Sequence, residues 1–581
     1  MNSRETVVSC PGKVLIAGGY LVLDRAHTGI VVGTSSRFYT VIKPNNQRVA
    51  SDRPQEEGEP KYQQIRLSIR SPQFINAEWS YSIELSPQAD LIIQPDTSSS
   101  QNKFVELAVR ESLRLSLAVQ SHDHFILGPS TENHHQNGDS TNQPYPVTIT
   151  ILGDNDFYSQ PRENDAPIRA FNRLDTSLKD VHKTGLGSSA AMVTSLCSAI
   201  FIHFTPSVDP HCRSTKSLLH NLSQYVHSLA QGKVGSGFDV SAALYGTHVY
   251  RRFSPSCLDG LLGSSEDQAH VSNHLSNAKS TKIDLGKVLN LMSPIFYQTQ
   301  LTPSQLKKAL DPNLNSSWVD PSTAPVIEPF SIPKFTTLLL ADVDAGSHTP
   351  SMVGQVLKWK KSESEIADQL WNQLSVQNNQ LKVAFKKLED LSNLDEPNYL
   401  SEVRKLSGDS NFHLQNDPST VAHADDVRTL FIKSIRQLMK KMGNQSNVPI
   451  EPDSQTHLLD ECEQHQGVVG SGVPGAGGYD AIWVLIFTPP LVSESSTVSK
   501  VDVKPEHTSI NIVIDFLNHW SHSSVRVLSP DSWVIGGSPG LYSKTKVSQD
   551  SSARDCQNGD GIEIFNDLRL VDRLQSPLEL F

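Results

Sequence analysis

One stretch in the middle of the chain has the residue types and spacing of an anion-binding loop. Two glycines separated by a single residue let the backbone turn tightly and bring its N–H groups close to a ligand. Two serines follow as N-caps of a helix that the apolar run Met192–Phe201 predicts, and two alanines keep the approach open. The unpaired N–H groups and the dipole of that helix both favour an anion at its N-terminus. The stretch comprises Lys183, Thr184, Gly185, Leu186, Gly187, Ser188, Ser189, Ala190 and Ala191.

The side chain of Lys183 adds a positive charge at the edge of this loop, as a phosphate site requires. The same residues also fit an ordinary glycine turn in front of a buried helix. The rest of the chain has to decide between an anion site and a plain turn.

Two further stretches place one charged side chain at the start of an apolar element. Near the N-terminus, a predicted strand over Thr6–Cys10 ends at Pro11-Gly12, and Lys13 follows at the mouth of an apolar run. In Ala230–Gly246, a glycine-rich loop delivers Asp239 to the start of a small-residue helix. Each residue has an ordinary alternative, since Lys13 fits a solvated strand end and Asp239 fits a helix N-cap. Both also fit a charge aimed into a binding site.

A third glycine cluster, Gly470–Asp480, contains the G-x-G-x-x-G spacing of a dinucleotide-binding loop. Such a loop needs a strand before it and a helix after it. Here a helical pattern over Gln455–Gln464 precedes the cluster, and a strand pattern over Ala481–Phe487 follows it. Because this order is reversed, the sequence predicts neither an NAD site nor a dehydrogenase. No G-x-x-x-x-G-K-[ST] pattern occurs, so the chain is not a P-loop protein.

The composition limits the classes of partner. With 581 residues the chain is too long for one core, which indicates two domains. Its net charge of −12 argues against binding nucleic acid or an anionic membrane. The six cysteines are scattered without a C-x-x-C pair, which predicts neither a disulfide framework nor a zinc site. Without a basic leader or a long apolar run, the sequence predicts a cytoplasmic protein with no membrane insertion.

The hydrophobic periodicity predicts the elements that must position these stretches. Strand patterns cover Gly29–Ile42, Ile65–Leu85, Val147–Leu152 and Thr336–Val343. Helical patterns cover Phe104–Leu117, Ser217–Leu229, Pro303–Leu310, Met352–Trp359, Glu363–Leu394, Val421–Met442 and Ile510–Trp520.

Together, three motifs resemble those of the GHMP kinase family, which includes galacto-, homoserine, mevalonate and phosphomevalonate kinases. Pro11–Val14 with Gly18-Gly19 resembles the first motif, residues 183–191 resemble the ATP phosphate loop, and Gly475–Gly478 with Asp480 resembles the third. The motifs follow in the family's order across nearly the whole chain.

The resemblance implies an α+β fold with the active site between two domains. One is an N-terminal domain of ribosomal S5 domain 2 type, and the other is a ferredoxin-like C-terminal domain, both with polar insertions. The implied boundaries are 1–253 for the ATP-binding domain, 254–331 for an insertion-rich linker and 332–581 for the C-terminal domain.

Within the family, Ala230–Gly246, Asp342–Thr349 and Pro474–Leu485 resemble the branch that phosphorylates 5-phosphomevalonate in isoprenoid and sterol synthesis. Mevalonate kinases carry Q-G-E where this chain has Gln231-Gly232-Lys233, so their magnesium-ligating glutamate has no evident counterpart here. The implied substrates are ATP with Mg²⁺ and the phosphate acceptor 5-phosphomevalonate. The alternatives are a mevalonate kinase or another GHMP small-molecule kinase, and an inactive relative that senses ATP and a metabolite.

The resemblance also implies a role for each site residue. The loop at 183–191 would bind the β- and γ-phosphates of ATP, with the hydroxyl of Ser188 or Ser189 on Mg²⁺ and Lys183 against the transferred group. Asp239 would lie beside the acceptor with Lys13 as its cationic partner. A phosphate acceptor, with a second pKa of about 6, is already anionic, so Asp239 is expected to orient Lys13 and the metal. The acceptor-binding residues would be Lys13, Ser236, Asp239, Ser347, Thr349, Gly475, Ala476, Gly477 and Gly478.

Overall fold

The computed structural model describes most of the chain, with gaps. The described residues are 5–44, 63–85, 91–96, 101–120, 145–159, 171–259, 261–262, 301–343, 349–408, 424, 426–490, 509–528, 534–535 and 562–565. In this part of the chain, no helix combines the length and the apolar composition that crossing a bilayer requires.

Runs of strands are followed by runs of helices along the chain, which is typical of an α+β fold. The strands are β1 (Thr6–Ala17), β2 (Gly29–Pro44), β3 (Gln63–Arg70), β4 (Glu78–Leu85), β5 (Leu91–Pro95), β6 (Tyr145–Gly153), β7 (His248–Arg251), β8 (Val326–Pro329), β9 (Thr336–Val343), β10 (Val468–Gly472), β11 (Ala481–Phe487), β12 (Val525–Val527), β13 (Val534–Ile535) and β14 (Glu563–Phe565). The α-helices are α1 (Lys103–Gln120), α2 (Ser188–Phe204), α3 (Arg213–Gln231), α4 (Phe238–Tyr245), α5 (Pro303–Leu310), α6 (Thr349–Ser362), α7 (Ser364–Leu394), α8 (Glu396–Leu406), α9 (Arg436–Ser446), α10 (Asp453–Cys462) and α11 (Ser509–Asn518).

The first sheet has nine strands among the described residues and carries the N-terminal half. Its order is β14-β1-β2-β6-β3-β4-β5, with β7 paired to β2 and β8 paired to β7. Helices α1, α2 and α3 pack together, and α2 lies against β1 and β2. Helix α2 is apolar or small on nearly every face because it is buried between the sheet and these helices.

Strand β1 does not end where the sequence indicates. The prediction that it stops at Pro11-Gly12 is wrong, because the strand continues to Ala17 with a register shift between Pro11 and Lys13. A Cβ on Gly12 would lie 2.7 Å from Thr34 Oγ1 and 3.0 Å from the carbonyl oxygen of Leu186. The glycine therefore lets the strand pass close to the loop at 183–191 rather than ending it.

The second sheet, in the C-terminal half, is built on two buried central strands. Its order is β10-β11-β9-β12, and β13 also pairs with β9. Every residue of β9 is buried, and β11 is buried from Ile482 to Phe487. Burial of both faces explains why these segments are continuous apolar runs rather than alternating ones.

Two strands outside residues 1–253 join the first sheet. Strand β8, which lies within the predicted linker, pairs with β7, and β14 near the C-terminus pairs with β1. The chain therefore returns to the N-terminal sheet after the second sheet is complete. The division at 253 and 331 remains a prediction.

The predicted helices are found close to their expected positions, with one difference. Residues 430–435 form a π-helix, Leu430–Ile435, which leads directly into α9. The predicted continuous helix over Val421–Met442 is therefore wrong in its geometry, and its first residues lie outside the described part of the chain. Such π-turns are uncommon and are found frequently at functional sites.

Candidate active site

The three glycine stretches and the loop before α4 meet at one cavity of about 870 Å³. This volume lies within the range of ligand-binding clefts, roughly 300–1,000 Å³. The first sheet supplies Lys13, α2 supplies Ser188 and Ser189, and α4 supplies Asp239. The C-terminal half closes the cavity with Val353 and Leu357 of α6 and with Pro474, Gly475, Ala476, Gly477, Asp480 and Ala481.

The glycine loop has the backbone of an anion site. Gly185 and Gly187 have φ angles of +80° and +79°, which glycine adopts without strain. Gly187 is the N-cap of α2, and Ser188 is its first helical residue. The prediction that the serines cap this helix is therefore wrong, which leaves both hydroxyls available for other contacts. The first N–H groups of the helix have no intrahelical acceptor, and Ser188 and Ser189 at this end of the helix line the cavity.

Several residues of the stretch shape the loop without lining the cavity. Thr184 is buried, with its hydroxyl donating to the carbonyl of Asp156 at 2.5 Å and its N–H to that of Phe157 at 3.3 Å. Ala191 donates its N–H to Gly187 within the helix at 3.1 Å. Leu186, Ala190 and Ala191 are buried, and none of these residues lines the cavity. The loop is thus supported by Thr184, Leu186 and Ala191. Their side chains are buried, and Thr184 and Ala191 also form hydrogen bonds within the protein.

Lys13 connects the motifs at the centre of the cavity. Its Nζ donates to the carbonyl of Gly185 at 2.6 Å and lies 5.5 Å from the centroid of the Phe238 ring. The side chain also runs along Gly187, where a Cβ would lie 3.0 Å from Lys13 Cγ. Burial lowers the pKa of Lys13, and the negative charge of Asp239 opposes this shift.

Asp239 lies in the first turn of α4, after a loop that several side chains hold in place. Its Oδ1 accepts the N–H of Val240 at 3.0 Å, and the helix N-terminus favours a carboxylate there. The negative charge of Asp239 acts on Lys13 through space, while Lys13 Nζ donates to the carbonyl of Gly185. The role of Lys13 as the cationic partner of Asp239 remains a prediction.

The loop that carries Ser236 is fixed by hydrogen bonds to its backbone. The hydroxyl of Tyr250 donates to the carbonyl of Ser236 at 2.7 Å, and the amide of Gln224 donates to that of Gly237 at 2.7 Å. Gly237 has a φ of +77°, and a Cβ there would lie 2.7 Å from the Phe253 ring. The turn in front of α4 is therefore rigid, which fixes the position of Asp239.

Ser189 contacts a buried histidine that also lines the cavity. The hydroxyl of Ser189 lies 3.2 Å from Nε2 of His227, and the amide nitrogen of Gln231 lies 3.1 Å from the same atom. Burial favours the neutral form of this imidazole, because a charge is poorly solvated there. Burial accordingly lowers the pKa of His227, opposed by Asp239. The Ser189 hydroxyl therefore lies beside a buried imidazole at the wall of the cavity.

The third glycine loop follows a strand directly. The helix predicted over Gln455–Gln464 is present as α10, but Gly470–Gly472 belong to β10, a strand that sequence reasoning missed. Strand β11 still follows it, so the order remains unlike that of a dinucleotide-binding loop. The hydroxyl of Tyr20 donates to the carbonyl of Ala476 at 2.8 Å and ties this loop to the first motif. A Cβ on Gly477 would lie 2.1 Å from the carbonyl oxygen of Ile450, so only glycine fits.

Of the remaining predicted site residues, some line the cavity and others do not. Lys183 lines the cavity with an exposed side chain. Gly478 is bonded through its N–H to the carbonyl of Ile450 at 3.0 Å and is not part of the cavity lining. Ser347 lies outside the described residues, and Thr349 begins α6 with its side chain also outside them.

Sequence reasoning missed some lining residues altogether. Tyr20, Gln224, Arg252, Val353 and Leu357 reach the cavity from separate parts of the chain. The position of Arg252 directly after a strand could suggest that it faces the cavity. The residues next to it in the sequence form no motif that would indicate this.

A buried ionic cluster lies next to the third glycine loop and is connected to it through the segment at Ile450. Arg436, at the start of α9, bonds Glu451 at 2.7 Å, Asp460 at 3.0 Å and Glu463 at 2.6 Å. Ser471 of β10 donates to Glu463 at 2.5 Å, and Glu451 follows Ile450, which contacts Gly477 and Gly478. The guanidinium thereby holds together α9, α10 and the segment at Glu451, next to the Ile450 carbonyl that the loop contacts.

We expect replacement of Arg436 by methionine to destabilise the C-terminal half by about 3–5 kcal/mol, because it leaves buried carboxylates without a cation. The side chains of Arg436, Glu451 and Glu463 are only 8%, 3% and 4% exposed. The change is measured as a shift of the urea unfolding midpoint. As a control, Lys440→Met removes a lysine whose partner Asp453 is exposed, and should shift the midpoint little. Equal shifts for both variants would contradict this account.

Comparison with known proteins agrees with this geometry. Residues 169–247 match the model of the GHMP kinase N-terminal domain. The chain is 35% identical to a phosphomevalonate kinase of Aspergillus fumigatus, covering 84% of this chain and 88% of the relative. It is 34% identical to a peroxisomal phosphomevalonate kinase of Arabidopsis thaliana, covering 82% and 89%, and 31% identical to one of Candida albicans, covering 82% and 88%.

The fold, the glycine-lined cavity and these similarities define a small-molecule kinase. The chain belongs to the GHMP kinase family and, within it, to the phosphomevalonate kinases.

Proposed function

We propose that the protein transfers the γ-phosphoryl group of ATP to 5-phosphomevalonate, giving ADP and 5-diphosphomevalonate in isoprenoid and sterol synthesis. The observation that carries the proposal is one cavity in which a glycine loop at a helix N-terminus faces Lys13 and Asp239. The similarity to phosphomevalonate kinases over more than four-fifths of the chain supports this choice of acceptor.

ATP is proposed to bind with its β- and γ-phosphates at the N-terminus of α2. The N–H groups of Gly185, Gly187, Ser188 and Ser189 are placed on cavity-lining backbone, where the helix dipole also favours negative charge. Lys183, at the edge of the same loop, supplies positive charge to the transferred group. Phosphoryl transfer depends on such positioning and electrostatics more than on covalent chemistry.

The residues present fit a magnesium ion that is held mainly by substrate phosphates. Mg²⁺ usually takes one or two protein oxygens and completes its shell with phosphate and water oxygens. The hydroxyls of Ser188 and Ser189 are the candidate protein ligands, because both residues line the cavity at the N-terminus of α2. Among the described residues, no group of three or more His, Cys, Asp or Glu side chains forms a dedicated metal cage. When bound, the ion would neutralise phosphate charge.

Lys13 is proposed to lie between the two phosphate groups that must approach each other. Its Nζ is fixed by the Gly185 carbonyl beside the nucleotide loop, and a Cβ on Gly475 of the third loop would lie 4.0 Å from the same nitrogen. A cation at this position reduces the repulsion between the γ-phosphate and the acceptor phosphate.

Asp239 is proposed to act through its charge rather than as a proton acceptor. The acceptor phosphate, with a second pKa of about 6, is largely deprotonated at neutral pH, so a general base would have little to remove. The carboxylate, which Lys13 senses through space, instead orients Lys13 and the metal.

A mevalonate kinase is the alternative enzyme, and a catalytically inactive sensor is the alternative of another class. Both are tested by measuring ADP formation with 5-phosphomevalonate, with mevalonate and without an acceptor. We expect ADP formation that depends on 5-phosphomevalonate, and a strong decrease for Lys183→Met. Turnover with mevalonate alone would favour the alcohol kinase, and no acceptor-dependent ADP would favour the sensor.

We also propose a cytoplasmic location, because scattered unpaired cysteines are typical of a reducing compartment. The Arabidopsis relative is named peroxisomal, so the compartment has to be measured by fractionation of the native cells.

A further inference from the structure

We propose that Arg252 binds the carboxylate of the acceptor and thereby selects acceptors that carry an anion at the end opposite the reacting phosphate. This inference rests on the proposed function, and it assigns a substrate contact to a residue outside the glycine motifs. Arg252 directly follows β7 and is part of the cavity lining.

The guanidinium of Arg252 is held in place by backbone carbonyls. One terminal nitrogen donates to the carbonyl of Leu23 at 2.8 Å and the other to that of Val234 at 3.2 Å. These carbonyls belong to the segment after the first motif and to the loop that leads to Asp239. The side chain is therefore pre-oriented, which reduces the entropy that a ligand has to overcome.

The positive charge of Arg252 is only partly compensated by the protein around it, because Asp24 acts on it through space without forming an ion pair. Its two hydrogen-bond acceptors are neutral carbonyls, and among the described residues no carboxylate pairs with it. Its Nε is buried and has no hydrogen-bond partner in that part of the chain. A half-buried guanidinium that forms no ion pair with the protein is poorly compensated, and it gains most from an anionic ligand.

The position of Arg252 separates it from the phosphate-transfer end. On β2, Gly33 pairs with Lys13, and Gly29 pairs with Tyr250, two residues before Arg252. Four residues along a strand correspond to about 13 Å, so the two cations enter the cavity at different points along β2. Lys13 lies beside the nucleotide loop, which leaves Arg252 for a group distant from the reacting phosphate.

The acceptor has the matching chemistry. 5-Phosphomevalonate carries its phosphate at one end of the carbon chain and its carboxylate at the other. Once the phosphate lies at Lys13, the carboxylate is the remaining anion, and arginine is the side chain best suited to bind a carboxylate through two parallel hydrogen bonds.

The test combines a change in the protein with a change in the substrate. For the unchanged enzyme and for Arg252→Met, kcat/KM is measured with 5-phosphomevalonate and with its carboxamide analogue, which keeps the shape but lacks the charge. We expect the unchanged enzyme to prefer the acid by roughly 10- to 100-fold, as charged hydrogen bonds contribute. Arg252→Met should lose this preference mainly through slower turnover of the acid, and Arg252→Lys should keep part of it.

A matched control is Arg251→Met, whose arginine lies next in the chain but is not among the cavity-lining residues. Its preference for the acid should be unchanged. If Arg252→Met and Arg252→Lys slow both substrates equally and keep the preference, Arg252 is only a clamp for the two loops and the inference is overturned. If Arg252→Met does not fold, an unchanged preference in Arg252→Lys overturns it alone. No turnover of the acid by the unchanged enzyme would overturn the proposed function, and this inference with it.

Discussion

Replacing Lys13 by methionine is expected to lower kcat/KM for 5-phosphomevalonate by about 1,000-fold. Removing one fixed donor that faces developing charge in an enclosed site costs roughly 100- to 1,000-fold, and here a full positive charge is lost as well. Lys13 lies between the nucleotide loop and the third glycine loop, with its Nζ 2.6 Å from the Gly185 carbonyl. The loss should appear mainly in kcat, because the repulsion that Lys13 reduces is largest when the two phosphates meet.

The control for this prediction is Lys43→Met. Lys43 lies near the end of β2, its side chain is 43% exposed, and its Nζ is 4.0 Å from Glu5. We expect this variant to keep the activity of the unchanged enzyme, and both variants to keep the same melting temperature within a few degrees. A Lys13→Met enzyme with more than a tenth of the original kcat would contradict the central position assigned to this lysine.

Replacing Asp239 by asparagine is expected to lower kcat by about 100-fold while the fold is retained. Asparagine keeps an oxygen that can accept the Val240 N–H, now 3.0 Å from Oδ1, so the substitution removes mainly the charge. If Asp239 orients Lys13 and the metal, losing its charge misplaces both without removing a proton acceptor. The measurement is kcat and kcat/KM across pH 5–9, roughly one unit or more on each side of the acceptor's second pKa near 6.

The pH profile of the reaction distinguishes a purely electrostatic role of Asp239 from a role as general base. Protonation of the acceptor phosphate should reduce kcat/KM below its second pKa of about 6, and this limb should persist in Asp239→Asn because it belongs to the substrate. If the acidic limb disappears in the variant, Asp239 is a general base. Nearly full turnover with unchanged substrate affinity would instead show that the carboxylate has no role in the reaction.

The sequence was sufficient where local chemistry determines the structure. The glycine spacing at 185 and 187 requires positive φ angles, and these are present directly before α2. The alternating and continuous apolar runs predicted β2, β6, β9 and β11, because burial on one or both faces determines those patterns. Asp239 was also expected at the start of a small-residue helix, and it lies in the first turn of α4.

Local patterns failed where a distant segment determines the conformation. Pro11 and Gly12 are typical of a strand end, yet β1 continues because β2 pairs with it on both sides of a bulge. Ser188 looks like an N-cap, but Gly187 takes that position because the loop needs a left-handed residue there.

The contacts of Arg252 and Arg436 could not be predicted from the sequence for a second reason. Arg252 bonds Leu23 and Val234, and Arg436 bonds Glu451 and Glu463, so each cluster joins segments that no short sequence window contains. Residue type alone does not show which residues of distant segments contact each other. Only the folded chain brings Tyr20 to Ala476 and thereby the first motif to the third.

The central claim is that the acceptor atom is a phosphate oxygen, and ³¹P NMR of the reaction mixture tests it most directly. The purified full-length protein is incubated with ATP, Mg²⁺ and 5-phosphomevalonate. The account predicts that the monoester resonance of the acceptor is replaced by two coupled diphosphate resonances as ADP accumulates. A product with two separate monoester resonances would place the new phosphate on a hydroxyl, and it would contradict the account.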